Sequence, residues 1–221
     1  MATQTQRFDV LNNMITDRDS GNVIPIEQYF SEMDLSDEDK EKRIALAYDL
    51  QGVFNRLFTL VTAYIVAGYD VDYELLSGIA VMRYLDALKT QGIDLDDKYP
   101  TLTDYVARIV SEIVLTTKDN LGKPYYLSED RATNIAENES NTVFNTVEFQ
   151  DAIDKGYTKK TWRTFKDSRV RRTHLIADGE TIGIHDVFHV GDSLMRYPKD
   201  EELGASAKEI VNCRCVVKYL R

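Results

Sequence analysis

The chain has 221 residues, with 43% hydrophobic and 29% charged side chains, 11 Gly and 4 Pro, so collagen-like, mucin-like and linker-dominated classes are excluded. Against 27 Lys and Arg stand 37 Asp and Glu, a net charge of −10 that argues against wholesale coating of nucleic acid, because neutralising phosphates requires surplus positive charge. That balance is uneven: residues 151–221 carry 14 basic and 11 acidic side chains, residues 1–150 carry 13 and 26.

The uncharged run Leu57 to Tyr69 is 13 residues long. A spanning helix needs roughly 20, so no membrane partner is expected. The start, MATQTQRFDV, has no basic segment followed by an apolar one, so no secretory leader is expected. Cys213 and Cys215 are the only cysteines. Their spacing does not favour a mutual disulfide, and synthesis in a reducing cytoplasm fits.

In chain order, residues 1–35 read as an irregular arm, with turn signals at Asp19-Ser20-Gly21-Asn22 and at Pro25. Ser36 followed by Asp37-Glu38-Asp39 is a helix start, since a hydroxyl cap and early acids suit a helix N-terminus. Apolar residues then recur at helical spacing through Ile44, Tyr48, Phe54, Leu57, Phe58, Val61 and Ile65, with Gly68 as the stop. Further helices are expected over Tyr73 to Lys89, over Thr103 to Thr117, and from Ser128 to about Lys155. After Gly156 the pattern changes. Thr161 to Phe165 alternates and reads as a strand with Trp162 as its core anchor; Val187 to Val190 and Cys213 to Tyr219 read as later strands, and Asp178-Gly179 as a tight turn. Helices first and short strands after predict an α+β fold: an arm over residues 1–35, a helical region over 36–127, and a domain over 128–221 with one long helix and short antiparallel strands.

Several residue groups could carry chemistry. Lys159, Lys160, Arg163, Lys166, Arg169, Arg171 and Arg172 form a basic run that is either a solvated face or a docking surface for an acidic partner or packaged DNA. Cys213, Cys215 and His174 are zinc-ligand types, with His185, His189 or an acid as a fourth ligand; the plainer expectation is two small buried cysteines on the inner face of the last strand. His174 with Arg169, Arg171 and a carboxylate, Asp167 or Glu139, supplies the types that phosphate or nucleotide chemistry needs. The plainer expectation there is a fold-building network, with Asp167 paired to an arginine, His174 bonded to backbone at a strand end, and Glu139 on exposed helix surface. No P-loop, G-x-G-x-x-G, nucleophile elbow or H-E-x-x-H is present.

One ordered set of motifs goes further. Arg131-Ala132 and Ile135-Ala136 lead to Glu139, followed by small and polar residues. Gly156, Lys160 and Trp162 lead into Asp167-Ser168-Arg169-Val170-Arg171-Arg172-Thr173-His174. Then come Asp178-Gly179, Phe188, Pro198, and Asn212-Cys213-Arg214-Cys215. This series over residues 129–217 resembles the phage Mu F-like head-morphogenesis family of tailed phages. One departure is Glu137, where a basic residue is expected. The resemblance implies a low-copy minor capsid protein that docks on portal or inner capsid during head assembly. It would be found in the virion, and in the host cytoplasm while heads assemble. The competing reading is a nuclease or ADP-ribosyltransferase-like enzyme using His174, Arg169, Arg171 and Glu139.

Overall fold

In a computed structural model, residues 24–165 and 167–221 are described. The turn expected at residues 19–22 lies outside them. The fold is α+β. Helices α1 (Ile26–Ser31), α2 (Asp37–Ala67), α3 (Tyr73–Thr90), α4 (Thr101–Asp119) and α5 (Glu129–Asp154) come first. They are followed by β1 (Lys159–Arg163), α6 (Arg172–Ala177), β2 (Thr181–Gly183), β3 (Phe188–Val190), β4 (Ser193–Met195), α7 (Ala207–Ile210) and β5 (Val216–Leu220).

The first correction is α1, which occupies part of the stretch expected to be irregular. Pro25 reads as a breaker, but a proline just before the first helical residue loses no hydrogen bond and is preorganised for entry. The six residues that follow bury Ile26, Tyr29 and Phe30. Ser36 caps α2 as expected, its Oγ accepting from the backbone N–H of Asp39 at 3.1 Å. By length and composition α2 could cross a bilayer, since a stretch of 18 of its residues holds no more than two charged side chains. Its residues Leu46, Leu50, Phe54, Leu57, Phe58, Val61 and Ile65 are buried within the protein.

The chain divides into two compact units. One contains residues 45–136 and is helical. Phe54 of α2 meets Tyr84 of α3 edge to face, and α4 contributes Val106, Val110 and Ile113 to the core. Arg131, the first residue of the signature, is buried here. It donates to Thr117 Oγ1 at 2.7 Å, to the Tyr126 carbonyl at 2.8 Å and to the Ile113 carbonyl at 3.3 Å. Its guanidinium lies over the rings of Phe58 and Tyr126. Burial lowers its pKa from the usual arginine value. This side chain ties the end of α4 to the start of α5.

The other unit contains residues 25–44 and 137–221. Its sheet has the order β2-β1-β5, antiparallel throughout, with Trp162 opposite Val217 and Lys160 opposite Tyr219. A second ribbon pairs β3 with β4. Trp162, Phe188, Val190, Met195, Val217, Phe149 and both cysteines form its core. Trp162 is fully buried, edge to face with Phe188 and His174, as its assignment as a core anchor requires. The α5 residues 137–154 lie in this unit, where Asn138, Asn141 and Asn145 fall at helical spacing and face chain that is not in the sheet.

Candidate functional site

Those three asparagines build the site. Asn141 Nδ2 donates to the carbonyls of Cys213 (3.1 Å) and Cys215 (3.4 Å), and Asn145 Nδ2 to those of Cys215 and Pro198, both at 3.2 Å. Asn138 Oδ1 accepts from the backbone N–H of Asn212 at 2.9 Å and from Lys199 Nζ. Side-chain amides thus take the place of a neighbouring strand along this segment. That is why residues 213–215, expected to be strand, precede β5 rather than belong to it. Asn212 itself has φ +56, a left-handed conformation that asparagine tolerates better than most residues. Arg43 completes the support with a bidentate pair to Glu148 at 2.7 and 2.9 Å.

Onto this scaffold α6 brings His174. It was expected at a strand end with a backbone partner; it lies instead in a helix too short to show a period in the sequence. Nδ1 of its ring is 3.3 Å from Cys215 Sγ and 3.5 Å from Cys213 Sγ. Nε2 is 3.0 Å from Glu209 Oε2, which also accepts from Thr173 Oγ1 at 2.8 Å. His174, Cys213, Cys215 and Glu209 are at most 3% exposed. The three atoms Nδ1, Sγ and Sγ lie within 4.8 Å of one another, forming a buried group that could bind a metal. His185 and His189, considered as fourth ligands, are exposed and do not join it.

The electrostatics of the group are unequal. Burial alone would raise the Cys213 pKa. Hydrogen bonds from Cys215 and His174, with the charges of His174 and Lys199, outweigh it and hold that thiol well below its usual range. Cys215 moves well upward, because of its hydrogen bond to Cys213 and then its burial. For His174, burial opposes the charged ring, but Cys213 and Glu209 prevail and its pKa rises. Burial lowers Lys199 to about 8.

A second network lies alongside. Asp167 accepts from Arg214 Nη2 at 2.7 Å through both oxygens and from Arg169 Nε at 3.1 Å. Burial works to raise the Asp167 pKa, but these hydrogen bonds outweigh it and lower it. Arg214 lies over the Phe165 ring at 3.8 Å. Glu137, the departure from the signature, is buried with Oε1 unpartnered. Burial raises it to about 7, and Arg169 and Arg214 oppose that rise.

The other expected site residues are dispersed. Lys160 does not belong to an exposed basic face: on β1 it shares the inner side with Trp162 and is fully buried. Its ammonium donates to the carbonyls of Ile184 and Asp186 at 2.7 and 2.6 Å and lies over the Phe149 ring. Counting charges along the chain ignores strand alternation, and that is why the sequence misplaces it. Lys166 lies outside the described residues. Arg163 pairs with Asp34 at 2.6 Å and Arg171 donates to the Val211 carbonyl, while Lys159 and Arg172 are exposed. Glu139, expected on exposed helix surface, is buried and accepts from Asn138 Nδ2 at 3.1 Å. Arg169, Arg171 and His174 do share a cavity with Cys213, Arg214 and Cys215, but its volume of about 10 Å³ admits one water and no nucleotide. Sequence reasoning missed Glu209, Lys199 and the asparagine ladder; the i, i+3, i+7 spacing of asparagines on an otherwise regular helix is the signal that was available.

A search of the curated proteins and a search of the solved structures each gave no match. The family profile described as phage Mu protein F like protein matches residues 85–218. It starts well before the signature at residue 129 and takes in the end of α3 and all of α4. With more than half of the chain under that profile, this protein belongs to the phage Mu protein F like family, a family of phage head morphogenesis.

Proposed function

We propose that the chain is a low-copy minor head protein that docks on the portal or the inner capsid as heads assemble in the host cytoplasm, and that it stays with the virion. The observation that carries this reading is how the signature residues are used. Arg131, Asp167 and Arg214 of the signature, and Asn138, Asn141 and Asn145 within the span it covers, are bonded to other groups of the protein itself. A signature spent on holding a shape supports a part whose task is to present surface to neighbours, and an assembly protein is such a part.

The docking surface we assign is the exposed remainder of the basic run: Lys159, Arg169 and Arg172, flanked by Arg163 and Arg171. An acidic protein surface suits it better than packaged DNA, because Arg163 and Arg169 already hold ion pairs and the chain as a whole is net −10. The test is co-expression with the portal and capsid proteins of the same phage, followed by co-purification. Wild type is expected to co-purify with one of them. Lys159→Glu combined with Arg172→Glu, both exposed, should weaken that association while leaving the thermal transition in place; undiminished association of the double variant would overturn the assigned surface.

A further inference from the structure

We propose that His174, Cys213 and Cys215 form a zinc site, with Nδ1 and the two Sγ atoms as ligands and a water in the adjoining cavity as the fourth.

The spacing of the ligand atoms is the first argument. Zinc at ~2.3 Å from sulfur and ~2.05 Å from nitrogen in tetrahedral geometry sets N···S separations of about 3.6 Å and an S···S separation of about 3.8 Å. Here Nδ1 stands 3.3 and 3.5 Å from the two sulfurs, and all three atoms fall within 4.8 Å. The three donor atoms are close enough together for one such ion to take all of them with small side-chain adjustments. Two thiolates and an imidazole are also the softer ligands that select zinc over magnesium or calcium. A C-x-C pair on a regular strand would present both thiols on one face with a narrow bite. Here Asn212, in the left-handed conformation, and the amides of Asn141 and Asn145 shape the backbone so that both sulfurs close on one nitrogen.

The second argument lies behind the ligands. A histidine ligand generally donates its other ring N–H to a carboxylate, which fixes the tautomer and the ring plane. Glu209 is that carboxylate, on Nε2 at 3.0 Å, and Thr173 orients it in turn. Gly191, on the β3–β4 turn, leaves space for Glu209: a Cβ there would lie 2.9 Å from Oε1. A buried histidine needs some partner on Nε2; a carboxylate held in place by Thr173 is the partner that also strengthens Nδ1 as a ligand.

The third is room for a fourth ligand. The cavity lined by His174, Cys213 and Cys215 has the volume of about one water molecule. Zinc held there joins α6 to the segment entering β5, across 39 and 41 residues of chain. Such a link stabilises a small unit whose sheet has only three strands.

The test uses the full chain, expressed with added zinc and purified under reducing conditions without chelator. Elemental analysis is expected to give about one zinc per chain. Replacement by cobalt is expected to give the sulfur-to-metal charge-transfer band and the strong visible bands of a tetrahedral thiolate site. Cys213→Ser and Cys215→Ser should each lose the metal. Glu209→Gln, which keeps the fold and all three ligands, should retain one site and weaken zinc binding by about 10–100-fold in a chelator competition. Wild-type protein with no zinc and no cobalt spectrum would overturn the proposal, as would a Cys213–Cys215 disulfide found in place of the metal. Glu209→Gln binding zinc as tightly as wild type would overturn the role given to Glu209.

Discussion

Replacing Glu137 by Gln should stabilise the protein above neutral pH and remove a specific part of its pH dependence. Glu137 is 3% exposed with one carboxylate oxygen unpartnered. Burial moves its pKa from 4.5 to about 7, and Arg169 and Arg214 only partly oppose this. The folded state therefore keeps a proton that the unfolded chain releases. A raised pKa contributes stability that is complete below about 4.5 and is lost as pH rises through about 7. That displacement corresponds to about 3 kcal/mol at full ionisation, of which about 2 to 3 kcal/mol falls between about pH 5 and about pH 8. Gln has nearly the volume and hydrogen-bonding capacity of the protonated acid and cannot ionise. The assay is urea unfolding across that range, with stability taken by linear extrapolation. Wild type and Glu137→Gln should agree near about pH 5, and the variant should lead by about 2 kcal/mol or more near about pH 8. Parallel pH profiles for the two proteins would refute the reasoning and would mean that the two arginines neutralise Glu137 fully.

Three further outcomes are expected. Asn145→Ala removes the donor to two carbonyls at 3.2 Å and should cost about 1–3 kcal/mol in urea unfolding, more than Gln150→Ala, which is half-buried on the same helix and bonds only Asp154. Gly191→Ala places a Cβ at φ +61, 2.9 Å from Glu209 Oε1 and 3.1 Å from Thr173 Cγ2; it should cost about 1–3 kcal/mol and shift the His174 ring resonances in NMR. Lys160 is held at about 8 by burial, so its lowered pKa contributes stability present above 10.5 and lost as pH falls through about 8. Lys160→Met should flatten the stability profile over that alkaline window alone, which the same urea series can read.

The sequence conveyed the elements that have length or alternation. The periodicity of α2, α3 and α4, the Ser36 cap and the alternation around Trp162 each reflect a local rule that burial then enforced. What it could not convey depended on short pieces and on distant partners. α1 and α6 have six residues each, too few to show a 3.6-residue period. Glu209 lies on a four-residue helix, 35 residues from the histidine it holds. Lys160 looks like surface charge until its place on the inner side of β1 is known. The cysteines were legible as ligand types, but not their placement, since the backbone that aims them is held by asparagines some 70 residues earlier. The family resemblance marked residues 129–217 of the 85–218 that belong to the family match. It did not distinguish residues that hold the fold from residues that meet a partner, and burial makes that distinction.

The central claim is that this protein is a working part of the phage head. Quantitative mass spectrometry on gradient-purified virions and empty procapsids tests it most directly. The account predicts the protein in both, at one fixed low copy number relative to the portal protein. Its absence from both particles, with abundant protein in infected cells, would contradict it.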